Sequence, residues 1–530
     1  MIKNFKWLLL VSLTFMACNS DDDAVTVVDS SDGLPLTSGS ANFSKYVALG
    51  NSLTSGFSDG ALFKKGQEGA YTNIMAQQFK LVGGGEFKIP YTNDNIGGLL
   101  FGGQPNIAFG PRLYFNTTVS PTHPSSTVDP VSGTPTTEVM NPAVAAAGPY
   151  NNTGVPGAKS FHLLSPTYGA AAGLANGTAN PYYVRFAPNG TTSVLAYAMS
   201  QTPTFFSLWI GNNDVLGYAT TGGDGTNPIT PASGAAGVGF DGTYAALVTT
   251  LTSGGAKGVV ANIPYVTSIP FFKTVPYNPL TASAIGKGNA AVGTATISAL
   301  NAQLYGPLKQ ALTAFGAGSR INLLSTTVAN PLLIKDESLT NLSAQLTAAF
   351  TPTLGAQTAA FYGNVFGQAR QATKTDLVLL TTQSAIGTAP TAENSGIGVA
   401  PPAPLNNFGI TYPLQDKYVL IPTEVAELEV ATNAFNATIK SIAESKGLAF
   451  VDANAIMKQI DQGGISANSF TMASTFVTGG TFSLDGVHPS PRGYAFIANK
   501  FIEAINAKYG SNLKGVNVGN YPILYPAVLP

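Results

Sequence analysis

Short apolar runs, each closed by a glycine or a polar residue, punctuate a polar, glycine-rich chain. Lys45-Tyr46-Val47-Ala48-Leu49 stops at Gly50, and Thr204 to Ile210 stops at Gly211. Gly258 to Ile263 and Leu448 to Asp452 have the same character. Runs this short and this continuous read as strands buried on both faces. Between them apolar positions recur at helical spacing, at Tyr71 to Val82, Tyr244 to Ser253, Val425 to Lys446 and from Pro491 onward. In the third of these Leu428, Ala431, Phe435, Ile439 and Ile442 share a face, and Gly447 suits the C-terminal cap. In the last, Tyr494, Ile497, Ala498, Phe501, Ile502 and Ile505 align. Strands alternating with helices predict an α/β fold around a parallel sheet, with ligands at the C-terminal ends of its strands.

Two stretches interrupt the alternation. Residues 83–156 are dense in Gly, Pro, Asn and Thr and read as a mostly loop insertion. Residues 270–415 are rich in Ala, Leu and Phe and read as a mainly helical insertion. Helices are expected near 292–316 and 338–371, a strand at Asp376 to Leu380, and a Pro/Gly-rich end at about 386–408.

The N-terminus has its own pattern. Lys3 and Lys6 precede an apolar run from Trp7 to Phe15, too short for the roughly 20 residues that cross a bilayer. Phe15-Met16-Ala17-Cys18 resembles a bacterial lipobox, and Cys18 is the only cysteine. The expectation is a signal peptide over 1–17, lipid attachment at Cys18, a polar tether over 18–42 and one folded domain over 43–530. The acidic run Asp21-Asp22-Asp23 resembles surface-export tags of outer-membrane lipoproteins, so the protein is expected exported, anchored to the outer membrane and surface-exposed.

Composition narrows the function. Charged residues make up 10% of the 530 positions and the net charge is −1, against a usual charged fraction of about 25%. Nothing draws such a chain to nucleic acid, and a membrane partner is expected through the anchor alone. Three histidines and one cysteine are too few for the usual zinc sites, so neither a metal nor a cofactor is expected.

Three motifs carry candidate chemistry. Gly50-Asn51-Ser52-Leu53 follows the first strand, which sets Ser52 at a strand-to-helix turn. Gly211-Asn212-Asn213-Asp214 follows another buried strand, so the Asn213 amide could donate to an oxyanion beside Ser52. Asp485-Gly486-Val487-His488 brings a carboxylate and an imidazole together within one turn, as needed to hold a histidine tautomer while it takes a serine proton. Gly, Asn and Asp are also ordinary turn residues. His123 and His162 lack such a partner and read as structural.

In order and strand context these motifs resemble the SGNH/GDSL hydrolase family. The family's remaining block, a glycine between the first and third, matches Asn152-Thr153-Gly154-Val155-Pro156-Gly157, with Gly157 the nearer match and Gly154 the fallback. Position 51 is Asn where the family more often has Asp. The resemblance implies a three-layer α/β/α, flavodoxin-like fold and a serine-dependent esterase or lipase, whose partner is a small-molecule, lipid or glycan ester. Ser52 would be nucleophile, His488 base and Asp485 its partner, with an oxyanion hole from the N–H groups of Ser52 and Gly157 and the Asn213 side chain. Insertion 270–415 could form an acyl groove or lid, or simply pack as a core. Two alternatives stand beside this reading: a polysaccharide O-acetylesterase, and a catalytically silent surface binding lipoprotein.

Overall fold

The computed structural model describes residues 33–120 and 127–530. Cys18, the leader around it and His123 lie outside the described residues. The protein is built on a parallel sheet of five strands flanked by helices. In chain order the strands are β1 (Tyr46–Gly50), β2 (Asn152–Gly154), β3 (Phe205–Trp209), β4 (Lys257–Ala261) and β5 (Ala449–Val451). They lie side by side as β2-β1-β3-β4-β5. The first crossover runs one way and the later ones the other, so the order reverses at β1 between β2 and β3.

Burial explains the central strands. All five residues of β1 and of β3 are buried. Tyr46 stacks on Phe87 at 4.9 Å and meets Phe79 edge-on at 5.0 Å, and its hydroxyl lies 2.8 Å from Ser207 Oγ. Phe205 packs edge-on against Tyr509, and Trp209 lies against Tyr71 and Phe501. Each such ring contributes about 1.5–3 kcal/mol by leaving water. Phe79 and Tyr71 come from helix α2 (Tyr71–Lys80), and Phe501 and Tyr509 from helix α8 (Pro491–Tyr509). Helices α1 (Ser52–Ser55), α3 (Val194–Met199), α4 (Asn213–Thr220), α5 (Phe240–Thr252), α6 (Pro422–Ser445) and α7 (Ala453–Asp461) complete the set around the sheet. Phe240 of α5 stacks on Phe435 of α6 at 4.2 Å.

The edge strand β2 departs from expectation. Residues 83–156, read as loop, end in this strand and also form antiparallel pairs, Leu100–Phe101 with Gln104–Pro105 and Leu113–Asn116 with Thr127–Pro130. In β2 the buried Asn152 satisfies its amide on Thr54 O (2.9 Å) and Thr72 Oγ1 (3.1 Å).

The second insertion builds a separate apolar core between Val275 and Ile421. Its long helix spans Ser343–Phe366 and breaks at Gly355, whose φ of 76° is open to glycine at little cost. The expected strand near 376–380 is Leu377–Val378, paired antiparallel with Val419–Leu420. Arg370 lies among two acids, bonding Asp336 and reaching Asp376 at 2.7 and 2.6 Å. Among the described residues no helix is long and apolar enough to cross a membrane.

The chain enters at the N-terminal edge of the sheet. Ser40 N donates to Tyr509 O (2.8 Å) and Thr37 N to Asn512 Oδ1 (2.7 Å), which ties the incoming segment to the end of α8.

Candidate active site

Register alone aligns three loops. Gly50 is level with Gly154 on one side and Trp209 on the other, so the turns that follow β1, β2 and β3 emerge together at the C-terminal edge. At the first turn a side chain at position 50 would meet Thr54 Oγ1 at 2.1 Å and Trp209 O at 2.4 Å, so only glycine fits. Asn51 caps α1 by accepting from Leu53 N (3.0 Å), and Ser52 is the first residue of that single turn. Its N–H therefore has no carbonyl four residues back to bond. Asn51 Nδ2 also donates to Asn212 Oδ1 at 3.3 Å, a link that a carboxylate in its place could not make.

Asn213 opens α4, and its Nδ2 donates to Ala158 O at 2.9 Å, leaving the second amide hydrogen uncommitted to that bond. The fully buried Asp214 accepts from Ser160 N (2.8 Å) and Ser160 Oγ (2.7 Å). These bonds hold the 157–160 segment against the β3–α4 turn. The two candidate glycines differ in their N–H groups. Gly154 N donates to Asn152 Oδ1 at 2.9 Å, and a Cβ there would strike Ser55 N at 2.5 Å. Gly157 is exposed with φ +80°, and among the described residues its N–H has no acceptor. Gly157 does not line the cavity described below, but adjoins Ala158, which Asn213 holds.

Asp485 and His488 sit on a loop closed by Ser483 N to His488 O (2.8 Å) and Ser490 N to Thr481 O (2.9 Å). Asp485 Oδ1 accepts from the N–H groups of Val487 (2.9 Å) and His488 (2.8 Å) and from Ser483 Oγ (3.1 Å). Its Oδ2 accepts from Gly60 N (2.9 Å) and pairs with His488 Nδ1 at 2.8 Å. Burial pushes this carboxyl upward, but the charge and hydrogen bond of His488, with the two loop N–H groups, outweigh it and hold it at about 2. With Nδ1 committed to a carboxylate, Nε2 is the nitrogen left for proton transfer. The imidazole ring lies 4.6 Å from the Phe57 ring.

Ser52, Asn213 and His488 line one cavity of about 110 Å³. Among the described residues no hydrogen bond joins Ser52 Oγ to His488; catalytic bonds often tighten only around substrate. The rest of the cavity is mainly apolar, running to Ile456, Met457 and Ile460 on α7 and to Phe496 and Phe501 on α8. None of the described residues 270–415 lines it; most buried apolar residues of that insertion pack into their own core. The insertion does touch the Asp485–His488 loop, where Phe271 N donates to Gly486 O at 3.0 Å.

The remaining described histidine has a structural setting. His162 Nδ1 accepts from Lys159 N (3.0 Å) and its ring stacks on Tyr168 at 4.5 Å. Burial, aided by the Lys159 charge, lowers it to about 4 and keeps it neutral. Among the described residues no group of three or more His, Cys, Asp or Glu could hold a metal ion.

Sequence reading missed Asp59. This residue is buried, its Oδ1 accepts from Leu484 N at 2.9 Å, and its backbone N–H reaches Ser483 Oγ at 2.9 Å. The Asp59-Gly60 pair was a visible turn signal, but nothing in the sequence tied it to a loop some 425 positions away. Set against known proteins, the chain matches no family model, no curated protein and no solved structure.

Proposed function

We propose that the protein is a serine-dependent ester hydrolase of SGNH/GDSL type, on a three-layer, flavodoxin-like α/β/α frame. One observation carries this reading: a histidine locked through Nδ1 to a fully hydrogen-bonded carboxylate shares a cavity with a serine at a strand-to-helix turn. The strand order, with its reversal beside β1, supports the frame. Export and lipid attachment at Cys18 rest on the leader residues alone.

The reaction is a two-step acyl transfer. Ser52 Oγ bonds to the ester carbonyl carbon while its proton passes to His488 Nε2. Asp485, ionised above about pH 2, stabilises the imidazolium. The tetrahedral oxyanion accepts hydrogen bonds from Ser52 N–H, Gly157 N–H and Asn213 Nδ2; the uncommitted N–H of Gly157 supports that glycine over Gly154. The C–O bond breaks, and the leaving alkoxide takes the proton from His488. Water, deprotonated by His488, then releases the acid and restores Ser52.

The apolar cavity favours an acyl chain over an acetylated glycan. An apolar cavity of about 150 Å³ holds one benzene, so this one, about a quarter smaller, suits a chain of roughly four carbons. A fluorophosphonate probe should label the wild type and not Ser52→Ala, and nitrophenyl ester hydrolysis should vanish with Ser52→Ala. Along the ester series kcat/KM should rise about fourfold per methylene until the cavity is filled. Wild-type turnover by Ser52→Ala would remove the assignment; activity confined to acetyl groups would transfer it to the O-acetylesterase reading.

A further inference from the structure

The segment just beyond the nucleophile helix reaches across the sheet edge to the catalytic loop. After α1 ends at Gly56, Ser58-Asp59-Gly60-Ala61 makes a tight turn closed at both ends, Ser58 N to Ala61 O (3.1 Å) and Ala61 N to Ser58 O (3.0 Å). Both central residues have positive φ, 51° at Asp59 and 78° at Gly60, the pattern of a type I′ turn that Asp-Gly favours. The contacts with the other half of the site begin just before this turn. Tyr494 Oη donates to Phe57 O at 2.6 Å and Ser58 Oγ to Pro489 O at 3.0 Å. Asp59 N donates to Ser483 Oγ, which in turn donates to Asp485 Oδ1. Leu484 N donates to Asp59 Oδ1, and Gly60 N to Asp485 Oδ2. Both oxygens of Asp485 are thus reached from this turn, one directly and one through Ser483.

We propose that the Ser58–Ala61 turn is the brace that sets Asp485, and through it His488, against Ser52, with Asp59 as its positioning residue. This rests on the serine-hydrolase reading above. Asp59 touches no reacting atom; it acts by holding Leu484 and by fixing a turn whose next N–H binds the carboxylate. Its second oxygen, Oδ2, is buried and has no hydrogen-bond partner among the described residues. Among the described residues Arg112 makes no hydrogen bond to it; that guanidinium bonds the carbonyls of Asn95, Leu113, Pro526 and Ala527. Burial raises the Asp59 carboxyl to about 7, with the Asp485 charge adding to the rise and Leu484 N–H, Arg112 and His488 opposing it. Asn is the close isostere of that acid in its neutral form, and it tolerates positive φ.

Three variants separate the parts of the brace. Asp59→Asn keeps both turn and acceptor, Asp59→Gly keeps the turn but loses the acceptor, and Asp59→Ala strains the turn as well. A displacement of about 1 Å at a catalytic group costs about 10²-fold, so kcat should fall towards that extent in Asp59→Ala, less in Asp59→Gly, with KM unchanged. Asp59→Asn should restore kcat to within about threefold of wild type by the same measure. Wild-type kcat in folded Asp59→Ala and Asp59→Gly, or an Asp59→Asn as slow as Asp59→Ala, overturns the proposal. Should Asp59→Ala fail to fold, Ser483→Ala cuts the bridge from the other side; a lowered kcat at constant KM is then expected, and an unchanged kcat rejects the brace. Ser52→Ala is run alongside: turnover that does not depend on Ser52 removes the hydrolase reading and this inference together, whereas Ser52-dependent turnover with no Asp59 effect removes this inference alone.

Discussion

The two larger apolar cores among the described residues differ in chemical character. In the insertion core, between Val275 and Ile421, a buried charge is answered within the lobe: Arg370 holds Asp336 and Asp376, and Thr373 adds an N–H (2.6 Å) and a hydroxyl (2.8 Å) to Asp376. At the edge of the sheet core the Asp485 carboxylate is answered as completely, but one of its partners is an imidazole with a second nitrogen to spare. Ionic satisfaction gives structure in the first lobe. In the second it leaves one imidazole nitrogen over, on a ring that lines the same cavity as Ser52. A buried charge network is therefore weak evidence of chemistry; an unfinished one at a strand end is better evidence.

Breaking each lobe should sever stability from turnover in opposite ways. Arg370→Ala strands two buried carboxylates, and removing one partner of a buried pair costs about 3–5 kcal/mol. A clearly lowered melting temperature is expected, with kcat per folded molecule at 20 °C unchanged; an unchanged melting curve would deny the network its structural role. Asn213→Ala should do the reverse. Losing an oxyanion donor raises the barrier by about 2.7–4 kcal/mol, a kcat loss of about 10²–10³. Its loss of the Ala158 bond should move the melting temperature little, and wild-type kinetics would remove Asn213 from the oxyanion hole.

The smallest effect tests the joint between the lobes. Burial raises Glu424 to about 8, opposed by Ile421 N–H and reinforced by Glu337 and Asp416. A carboxyl raised on folding stabilises the protein below its unfolded value, about 4.3, and that contribution fades as pH rises through its folded value. The melting temperature should therefore fall between about pH 5 and pH 8. Glu424→Gln keeps an acceptor for Ile421 N and should flatten the slope in that window. Asp416 and Asp59, raised by burial to about 6 and about 7, keep part of it. An identical slope in the variant would place the pH dependence elsewhere.

What was legible in the sequence follows from what hydropathy encodes. Strands β1, β3, β4 and β5 are apolar and end in Gly, Asn or Asp, so the turns carrying Ser52 and Asn213 could be placed before any coordinates. Asp485 and His488 lie within one turn, so their pairing needed no long-range information. Strand β2 was illegible because Asn152, Thr153 and Gly154 are buried through hydrogen bonds to distant residues, such as Asn152 to Thr54 O and Thr153 Oγ1 to Ala48 O (2.8 Å). Asp59 was hidden for the same reason, since its partners are more than 400 positions away. The long insertion helix was read as one piece, although Pro352 and Gly355 marked its break. For the Ala/Phe-rich insertion hydropathy left groove, lid and plain core all open; its apolar residues build mostly a core, while α7 and α8 supply much of the cavity wall.

The tie between Ser40 and Tyr509 has a mechanical consequence. All five strands run the same way, so this tie and Ser52 stand at opposite poles of the sheet. The five residues of β1, at about 3.3 Å each, separate them by roughly 16 Å. Traction through the leading segment enters at the far pole and is shared between β1 and the end of α8. The cavity that Ser52 lines, at the other pole, then lies off the line of force.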